Sequence, residues 1–361
     1  MKKILKPGIF WLFAFIPISL VLEYSHASAP LIFFSSALSI IPIARLIGNS
    51  TEQLATYTGD AIGGLLNATF GNLPELIIAV VALKAGLYLM VLASLAGAIL
   101  ANLLLALGLS YLIGGIKYHN QEYNPNSVRV YSSMMLIAVI SLTIPSGFHA
   151  LTANSLSNEN ENILNIWLAV ILLIAYVLYL FFMIKTHPDF FRSEGSGEEA
   201  EVHEDRWSRS RALITLLVAS VLAAFMSEVL VGAAEETGKV LGMSSVFIGV
   251  IFLAIVGGAA ESISAISMAA KNKMDLTMAI ALGSSIQIAL FVSPLLVILS
   301  LFVGPKQLNL TFSRPLIIAM FLAVILGALI SGDGRSNWYK GVQLIIVYFI
   351  MAMTLYLIPT V

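Results

Sequence analysis

Two short stretches decide how this sequence folds: Gly71-Asn72-Leu73-Pro74-Glu75 and Gly257-Gly258-Ala259-Ala260-Glu261. Each places a glycine four residues before a glutamate, inside a long apolar run. Another glycine follows each glutamate by 22 residues, at Gly97 and Gly283. A carboxylate at matched positions of two apolar segments, with matching glycines on both sides, indicates an internal repeat.

The composition of the chain indicates a lipid environment. Its 361 residues are 59% hydrophobic and 11% charged, with a mean hydropathy of +0.94. Soluble domains carry roughly 25% charged residues, so too few charges are present here to cover a water-facing surface. The chain has no cysteine, which excludes disulfides and thiol chemistry. A net charge of -1 gives no reason to expect nucleic acid as a partner.

Apolar runs long enough to cross a bilayer predict eleven transmembrane helices. These runs are centred near residues 7–22, 28–44, 61–83, 86–114, 130–147, 162–184, 212–231, 243–269, 276–302, 315–331 and 341–359. The alternating polarity of a membrane β-barrel is absent from the sequence. The predicted fold class is therefore an all-α polytopic membrane protein.

The basic residues predict how the chain is oriented in the membrane. With the N-terminus inside, 15 of the 19 basic residues fall in inner connections. The outer side holds only Lys84, Lys239, Lys306 and Arg314. We therefore expect a multi-pass protein of the cell membrane, with its N-terminus in the cytoplasm and its C-terminus outside.

The two glutamate segments are predicted to run in opposite directions. Glu75 lies in the third span and Glu261 in the eighth, and an odd number of crossings separates them. We expect an N-terminal helix, a first five-helix repeat, an acidic cytoplasmic loop and a second, inverted five-helix repeat, at residues 1–25, 26–185, 186–208 and 209–361. Inverted repeats with a site at their interface are typical of secondary transporters.

The chemistry of the two glutamates predicts cation exchange. A charged carboxylate near the bilayer centre costs at least about 2.5–3.5 kcal/mol, so it needs a partner or a function. Neither Glu75 nor Glu261 has a basic residue within its own predicted span. Two carboxylates that lie close together in a poorly hydrated site cannot both stay ionised without a cation. They hold protons or a hard cation such as Ca²⁺, and this competition predicts an antiporter.

Residues around the glutamates extend the predicted site. Gly71, Gly257 and Gly258 allow backbones to approach closely. Pro74 interferes with the helical hydrogen bond to the Phe70 carbonyl, and a freed carbonyl can bind a cation. Side-chain amides lie just past the second pair of glycines, at Asn102 and Gln287.

At these residues the sequence resembles the calcium/proton exchangers of the cation/calcium exchanger superfamily. Residues 67–76 are similar to the first family signature, and residues 256–261, 271–275 and 283–294 are similar to the second. The resemblance covers nearly the whole chain and implies an eleven-helix exchanger fold, with Glu75 and Glu261 as the cation and proton carriers. It also implies polar groups near these carriers, at Asn72, Asn102, Ser284, Ser285 and Gln287.

The sequence departs from the family pattern near both glutamates. The second family core is usually Gly-Asn-Ala-Ala-Glu-His, whereas Gly258 and Ser262 stand here at the asparagine and histidine positions. The first repeat has Gly97-Ala98 where the family usually has Gly-Ser. Several oxygen ligands and one imidazole are therefore absent, which leaves the identity of the cation and of the counter-ion open.

Ca²⁺/H⁺ exchange by alternating access is the favoured function, with Ca²⁺ as the transported substrate and no cofactor. Exchange of Na⁺, Mn²⁺ or K⁺ and coupling to Na⁺ remain alternatives. A cation channel is less favoured, because inverted repeats with proton-binding carboxylates favour alternating access. The motifs His-Glu-x-x-His and Gly-x-Ser-x-Gly are absent, so an intramembrane enzyme is not expected. The sequence leaves homo-oligomer formation open.

Further acidic residues lie away from the glutamate pair. Glu228, Glu235 and Glu236 attract cations to the outer mouth in one interpretation. In the alternative they are interfacial residues solvated by headgroup water. Residues 194–205 carry six acidic residues, and we expect a disordered, solvated loop there.

Overall fold

A computed structural model of the protein describes residues 8–58, 63, 66, 69–152, 158–188 and 207–357. The acidic stretch 194–205 lies outside the described residues. So do Asn67 and Ala68 of the first signature. The predictions made for these residues remain predictions.

Twelve helices make up most of the described chain. They are α1 Phe15–Tyr24, α2 Ala29–Ala55, α3 Leu73–Lys84, α4 Tyr88–Tyr118, α5 Pro125–Thr152, α6 Asn158–Phe181, α7 Arg209–Leu241, α8 Ser245–Gly257, α9 Ala259–Ala270, α10 Met274–Ser300, α11 Arg314–Ser331 and α12 Trp338–Leu357. A 3₁₀-helix, Ile9–Ala14, leads into α1, and a π-helix, Phe182–Thr186, extends α6. Two three-residue strands, β1 Asn120–Glu122 and β2 Arg335–Asn337, pair antiparallel.

The helices confirm a helical membrane fold. Among the described residues, eight helices are long and apolar enough to cross a bilayer, or nine if the bent pair α8 and α9 is one span. The apolar helix Ile9–Tyr24 is shorter, and α3 has 12 residues. The count of eleven spans therefore remains a prediction.

Helix α2 corrects the predicted end of the second span. The apolar run stops at residue 44, which placed Arg45 in an inner connection. This placement was wrong, because α2 continues to Ala55 and includes Arg45. The last turns of α2 carry polar residues and remain helical, since buried neighbours such as Ile47 and Thr51 pack one side of the helix into the bundle.

Structural irregularities recur at matched positions of the two repeats. When the halves are aligned on Glu75 and Glu261, the π-helical turns Ala101–Ala106 of α4 and Ile288–Val292 of α10 coincide. π-Helical turns within α-helices occur frequently at functional sites. The repeat that the glutamates predict therefore extends to local backbone geometry.

Helix packing also follows the repeat. α4 packs against α9 and α12, and its counterpart α10 packs against α3 and α6. α2 packs against its own counterpart α7, and α5 against α11. Each interface thus recurs when the halves are exchanged. This pattern supports two five-helix units, while the exact domain boundaries remain predictions.

Contacts between connections agree with the predicted alternation of faces. On the predicted inner face, β1 pairs with β2, and Lys117 Nζ donates to the Ala270 carbonyl at 2.8 Å. On the predicted outer face, Tyr88 Oη donates to the Lys306 carbonyl at 2.7 Å. These contacts join connections that the eleven-span topology places on the same side. Which side is cytoplasmic remains a prediction from the basic residues.

Small residues bring α4 and α8 close together. A β-carbon on Gly97 would overlap the backbone of Val250. A β-carbon on Gly249 would lie 2.7 Å from the β-carbon of Ala93. Close backbone approach at small residues is a common means of packing membrane helices, because it increases van der Waals contact. The counterpart Gly283 has open space instead, with nothing within 4 Å of an added β-carbon.

We expect Gly97→Ala to destabilise the protein and Gly283→Ala to leave its stability nearly unchanged. Overpacking costs about 1–3 kcal/mol, and α4 would have to move away from α8 to accept the methyl group. The measurement is the apparent melting temperature of each purified variant in the same detergent. The two glycines are repeat counterparts and the substitution is identical, so equal melting temperatures would contradict the close approach.

Candidate functional site

Both predicted carrier glutamates lie in the first turn of a half-helix. α3 begins after Gly71-Asn72 and α9 begins after Gly258, where the chain bends by 59° between α8 and α9. Proline is tolerated in a first helical turn because the N–H that it lacks has no helical acceptor there, and Pro74 lies in the first turn of α3. Glu75 and Glu261 are each the third residue of their half-helix.

The carboxylate of Glu75 packs against the break in the opposite repeat. A β-carbon on Gly257 would lie 2.9 Å from Cγ of Glu75, and one on Gly258 would lie 3.5 Å from its Oε1. Glycine at position 257 therefore leaves room for the glutamate side chain, and Gly258 lies next to its carboxylate. The first turn of α3 and the break between α8 and α9 therefore meet at this point, as the inverted repeat predicts.

A chain of amide and hydroxyl groups connects α4, α10 and the break before α3. Asn102 Nδ2 donates to Ser284 Oγ at 3.1 Å, and Ser284 Oγ donates to Asn72 Oδ1 at 2.7 Å. Asn72 Nδ2 in turn donates to Gln287 Oε1. These bonds fix which atom of Asn72 accepts and which donates. The amide oxygen of Asn102, Oδ1, does not take part in these bonds. It lies beside Gly258, 3.7 Å from the position that a β-carbon on Gly258 would occupy.

Three carboxylate oxygens are buried without a hydrogen-bond partner among the described residues. They are both oxygens of Glu75, which is 8% exposed, and Oε2 of Glu261. A buried ionised carboxylate without compensation is strongly unfavourable. A bound proton or a cation supplies the missing compensation. The amide chain leaves these oxygens available for either.

A cavity reaches Glu261 from one face of the protein. Its volume is about 320 Å³, and Glu261, Asn72, Ser284 and Gln287 line its inner end. Its lining also includes residues near the ends of α2, α5, α6 and α10 that the topology places in the cytoplasm. The cavity beside Glu75 has a volume of only about 10 Å³, close to the space of a single water molecule. The site therefore opens toward the predicted cytoplasmic face and is nearly closed on the other side.

The remaining predicted residues lie in different surroundings. Gly71 lines the large cavity, whereas Ser285 is buried and donates to the Ala281 carbonyl of its own helix at 3.0 Å. Glu228 pairs with Lys84 at 3.5 Å, and both side chains are more than half exposed. Glu235 and Glu236 are exposed near the end of α7. The structure does not bring these three glutamates to the pair, and their role at an outer mouth remains a prediction.

Five polar or charged residues that line the cavity were not among the predicted site residues: Arg45, Glu52, Tyr131, Tyr179 and Ser264. Arg45 and Glu52 share one helical face with Gly48, at the spacing i, i+3 and i+7. This spacing could have indicated a polar helical face, but it lies beyond residue 44, where the predicted span ended.

Carboxylates at matched positions of two short helices, one of them lining a cavity, within a bundle of membrane-crossing helices with internal repeats, define a secondary transporter. The chain belongs to the sodium/calcium exchanger protein family, whose model matches residues 28–185 and 211–357.

Relatives that match nearly the full chain confirm the resemblance found from the signatures. The chain is 42% identical over 344 residues to the Ca²⁺/H⁺ antiporter ChaA of Bacillus subtilis (strain 168), covering 95% of this chain and 97% of that relative. It is 38% identical over 363 residues to a Ca²⁺/H⁺ antiporter of Aphanothece halophytica, covering 98% and 97%. The solved structure of native YfkE matches with a TM-score of 0.84 at 40% identity, covering 97% of this chain and 100% of that chain.

We expect Ser284→Ala to weaken cation binding and Ser285→Ala to leave it nearly unchanged. Ser284 bridges Asn102 and Asn72, and a hydrogen bond contributes about 1 kcal/mol, or roughly a fivefold rise in the KM for the cation. Ser285 bonds only to its own helix, so its loss should change the KM by less than about twofold. Cation uptake into proteoliposomes measures both values. An equal effect of the two neighbouring substitutions would contradict the assigned hydrogen-bond chain.

Proposed function

We propose that this protein is a secondary active antiporter that exchanges Ca²⁺ for H⁺ by alternating access. One observation carries the proposal: two glutamates occupy the third position of the matched helices α3 and α9, and three of their oxygens have no hydrogen-bond partner among the described residues. Glu75 and Glu261 bind either the cation or protons. The full-length similarity to proteins named Ca²⁺/H⁺ antiporters supports the same cation pair.

The available ligands suit calcium. Ca²⁺ takes six to eight oxygen ligands and tolerates irregular geometry. The two carboxylates provide up to four oxygens, and the Asn102 amide oxygen lies next to Glu75 across Gly258. Backbone carbonyls near the helix breaks are further candidate ligands, because an interrupted helix can leave carbonyls without helical partners. The family usually has an asparagine where this chain has Gly258. Asn102 therefore provides a side-chain oxygen at the place where that asparagine is missing.

Charge balance explains why exchange is coupled. Two carboxylates are neutralised by one Ca²⁺ or by two protons. In either loaded form, the site adds no net charge to the low-dielectric interior. The empty, ionised form leaves two buried negative charges, which is costly at this depth. The transporter therefore changes its orientation when loaded and stays in place when empty.

The cavity defines the conformation from which exchange proceeds. In this structure Glu261 faces the cavity of about 320 Å³, and Glu75 lies on the nearly closed side. The opposite conformation requires separation around Glu75, where α4 packs closely on α8. We assign the chain to the cell membrane, with the N-terminus in the cytoplasm and the C-terminus outside, from the distribution of its basic residues. Lipid, Ca²⁺ and H⁺ are its expected partners.

We expect Glu75→Gln and Glu261→Gln each to abolish Ca²⁺ uptake driven by a pH gradient. Glutamine keeps the shape of the side chain but can neither exchange a proton nor neutralise Ca²⁺. Radioactive Ca²⁺ uptake into proteoliposomes, with and without an imposed pH gradient, measures the effect. Glu228→Gln is the matched control, because Glu228 pairs with exposed Lys84 away from the cavity.

Normal transport by either site variant would refute the proposed carriers. Wild-type Ca²⁺ flux that is indifferent to the pH gradient would refute proton coupling. Replacement of the pH gradient by a Na⁺ gradient in the same vesicles tests the sodium-coupled alternative.

A further inference from the structure

Arg45 is a charged residue inside a membrane-crossing helix, and the exchange reaction described above does not use it. It is the seventeenth residue of α2, about 24 Å along the helix at 1.5 Å per residue. Its side chain is partly buried and lines the cavity that leads to Glu261. Ionisable residues within membrane-crossing helices are costly and usually functional.

The guanidinium group of Arg45 lies close to the carrier site. Its Nη1 donates to Ser264 Oγ on α9. Ser264 follows Glu261 by three residues, and residues at this spacing lie on the same face of a helix about one turn apart. Arg45 therefore holds a fixed positive charge about one helical turn from the carboxylate that the cavity exposes.

Arg45 carries the only positive charge among the described residues that line this cavity. The other charged lining groups are Glu261, from α9, and Glu52, which lies seven residues after Arg45 on α2. Tyr131 and Tyr179 contribute hydroxyl groups from α5 and α6. A cation that approaches Glu261 through this cavity therefore comes under the electrostatic influence of the guanidinium group.

We propose that Arg45 is a tethered cation that competes with Ca²⁺ for the approach to Glu261 and so sets the apparent Ca²⁺ affinity on the cavity face. The inference rests on the proposed function, since it assigns a role in Ca²⁺ entry. A fixed charge in a narrow cleft changes the local concentration of an ion of the same sign, and a divalent ion is affected most. When the site is empty, the same charge offsets part of the negative charge of the glutamates.

The test is the KM for Ca²⁺ of Arg45→Met, with Ca²⁺ applied separately to each face of oriented vesicles. On the cavity face we expect the KM to fall on the order of tenfold at low ionic strength. The difference from wild type should shrink at high salt, because screening weakens the charge in a water-filled cavity. From the opposite face the KM should not change. Arg45→Lys keeps the charge and should stay close to wild type.

Arg129→Met is the matched control. Arg129 lies at the start of α5 on the same predicted face, but it is exposed and does not line the cavity. Its substitution removes the same charge from that face and should leave the KM unchanged. An equal fall for both variants would overturn the proposal, as would an unchanged or higher KM in Arg45→Met.

Two additional measurements keep the test decisive. If Arg45→Met does not fold, Arg45→Gln removes the same charge and carries the same expectation. If wild-type Ca²⁺ flux proves independent of protons, the proposed exchange fails but the KM comparison stays valid. If no flux is seen, calorimetric titration of the purified protein with Ca²⁺ gives the comparison as dissociation constants. Equal dissociation constants, or no Ca²⁺ binding by either protein, would overturn the proposal.

Discussion

The need to neutralise two carboxylates inside a bilayer governs this structure. Glu75 and Glu261 are buried or half-buried, and three of their oxygens have no hydrogen-bond partner among the described residues. Elsewhere in the described core, buried hydroxyl and amide groups mostly bond to backbone carbonyls or to each other, as buried polar groups usually do. The unpartnered oxygens of the two glutamates are the atoms to which the proposed mobile ion would bind.

The surrounding structure holds this unfavourable arrangement in place. Breaks at Asn72 and Gly258 bring each glutamate into the first turn of a half-helix, where the N-terminal end of the helix dipole favours negative charge. Glycine at position 257 lets the Glu75 side chain lie against the opposite break. The chain from Asn102 through Ser284 and Asn72 to Gln287 satisfies the neighbouring amides among themselves. The carboxylates are left as the reactive groups of the site.

The sequence predicted those parts of the structure that depend on charge and spacing. The glutamate pair, the repeat and the helical membrane class follow from where few polar residues stand in apolar runs. The sequence did not predict which side of a helix each polar residue faces. Ser284 and Ser285 are adjacent serines, yet one joins the amide chain and the other bonds to its own helix, because successive residues on a helix point about 100° apart. Arg45 was misplaced because hydropathy marks the apolar part of a helix, and α2 continues beyond it.

The two repeats match in backbone and in their glutamates, but they do not match in charge along the cavity. α2 and α7 end at equivalent residues when the halves are aligned on Glu75 and Glu261, and the counterpart of Arg45 is then the apolar residue Val231. In the opposite conformation the two repeats would exchange their arrangements, and a cavity beside α7 would then reach Glu75. That cavity would carry no guanidinium group at the matched position. The inverted fold therefore makes the two faces equivalent in shape, whereas a single arginine makes them unequal toward a divalent cation. This inequality arises from side chains alone, and it can change without any change in the fold.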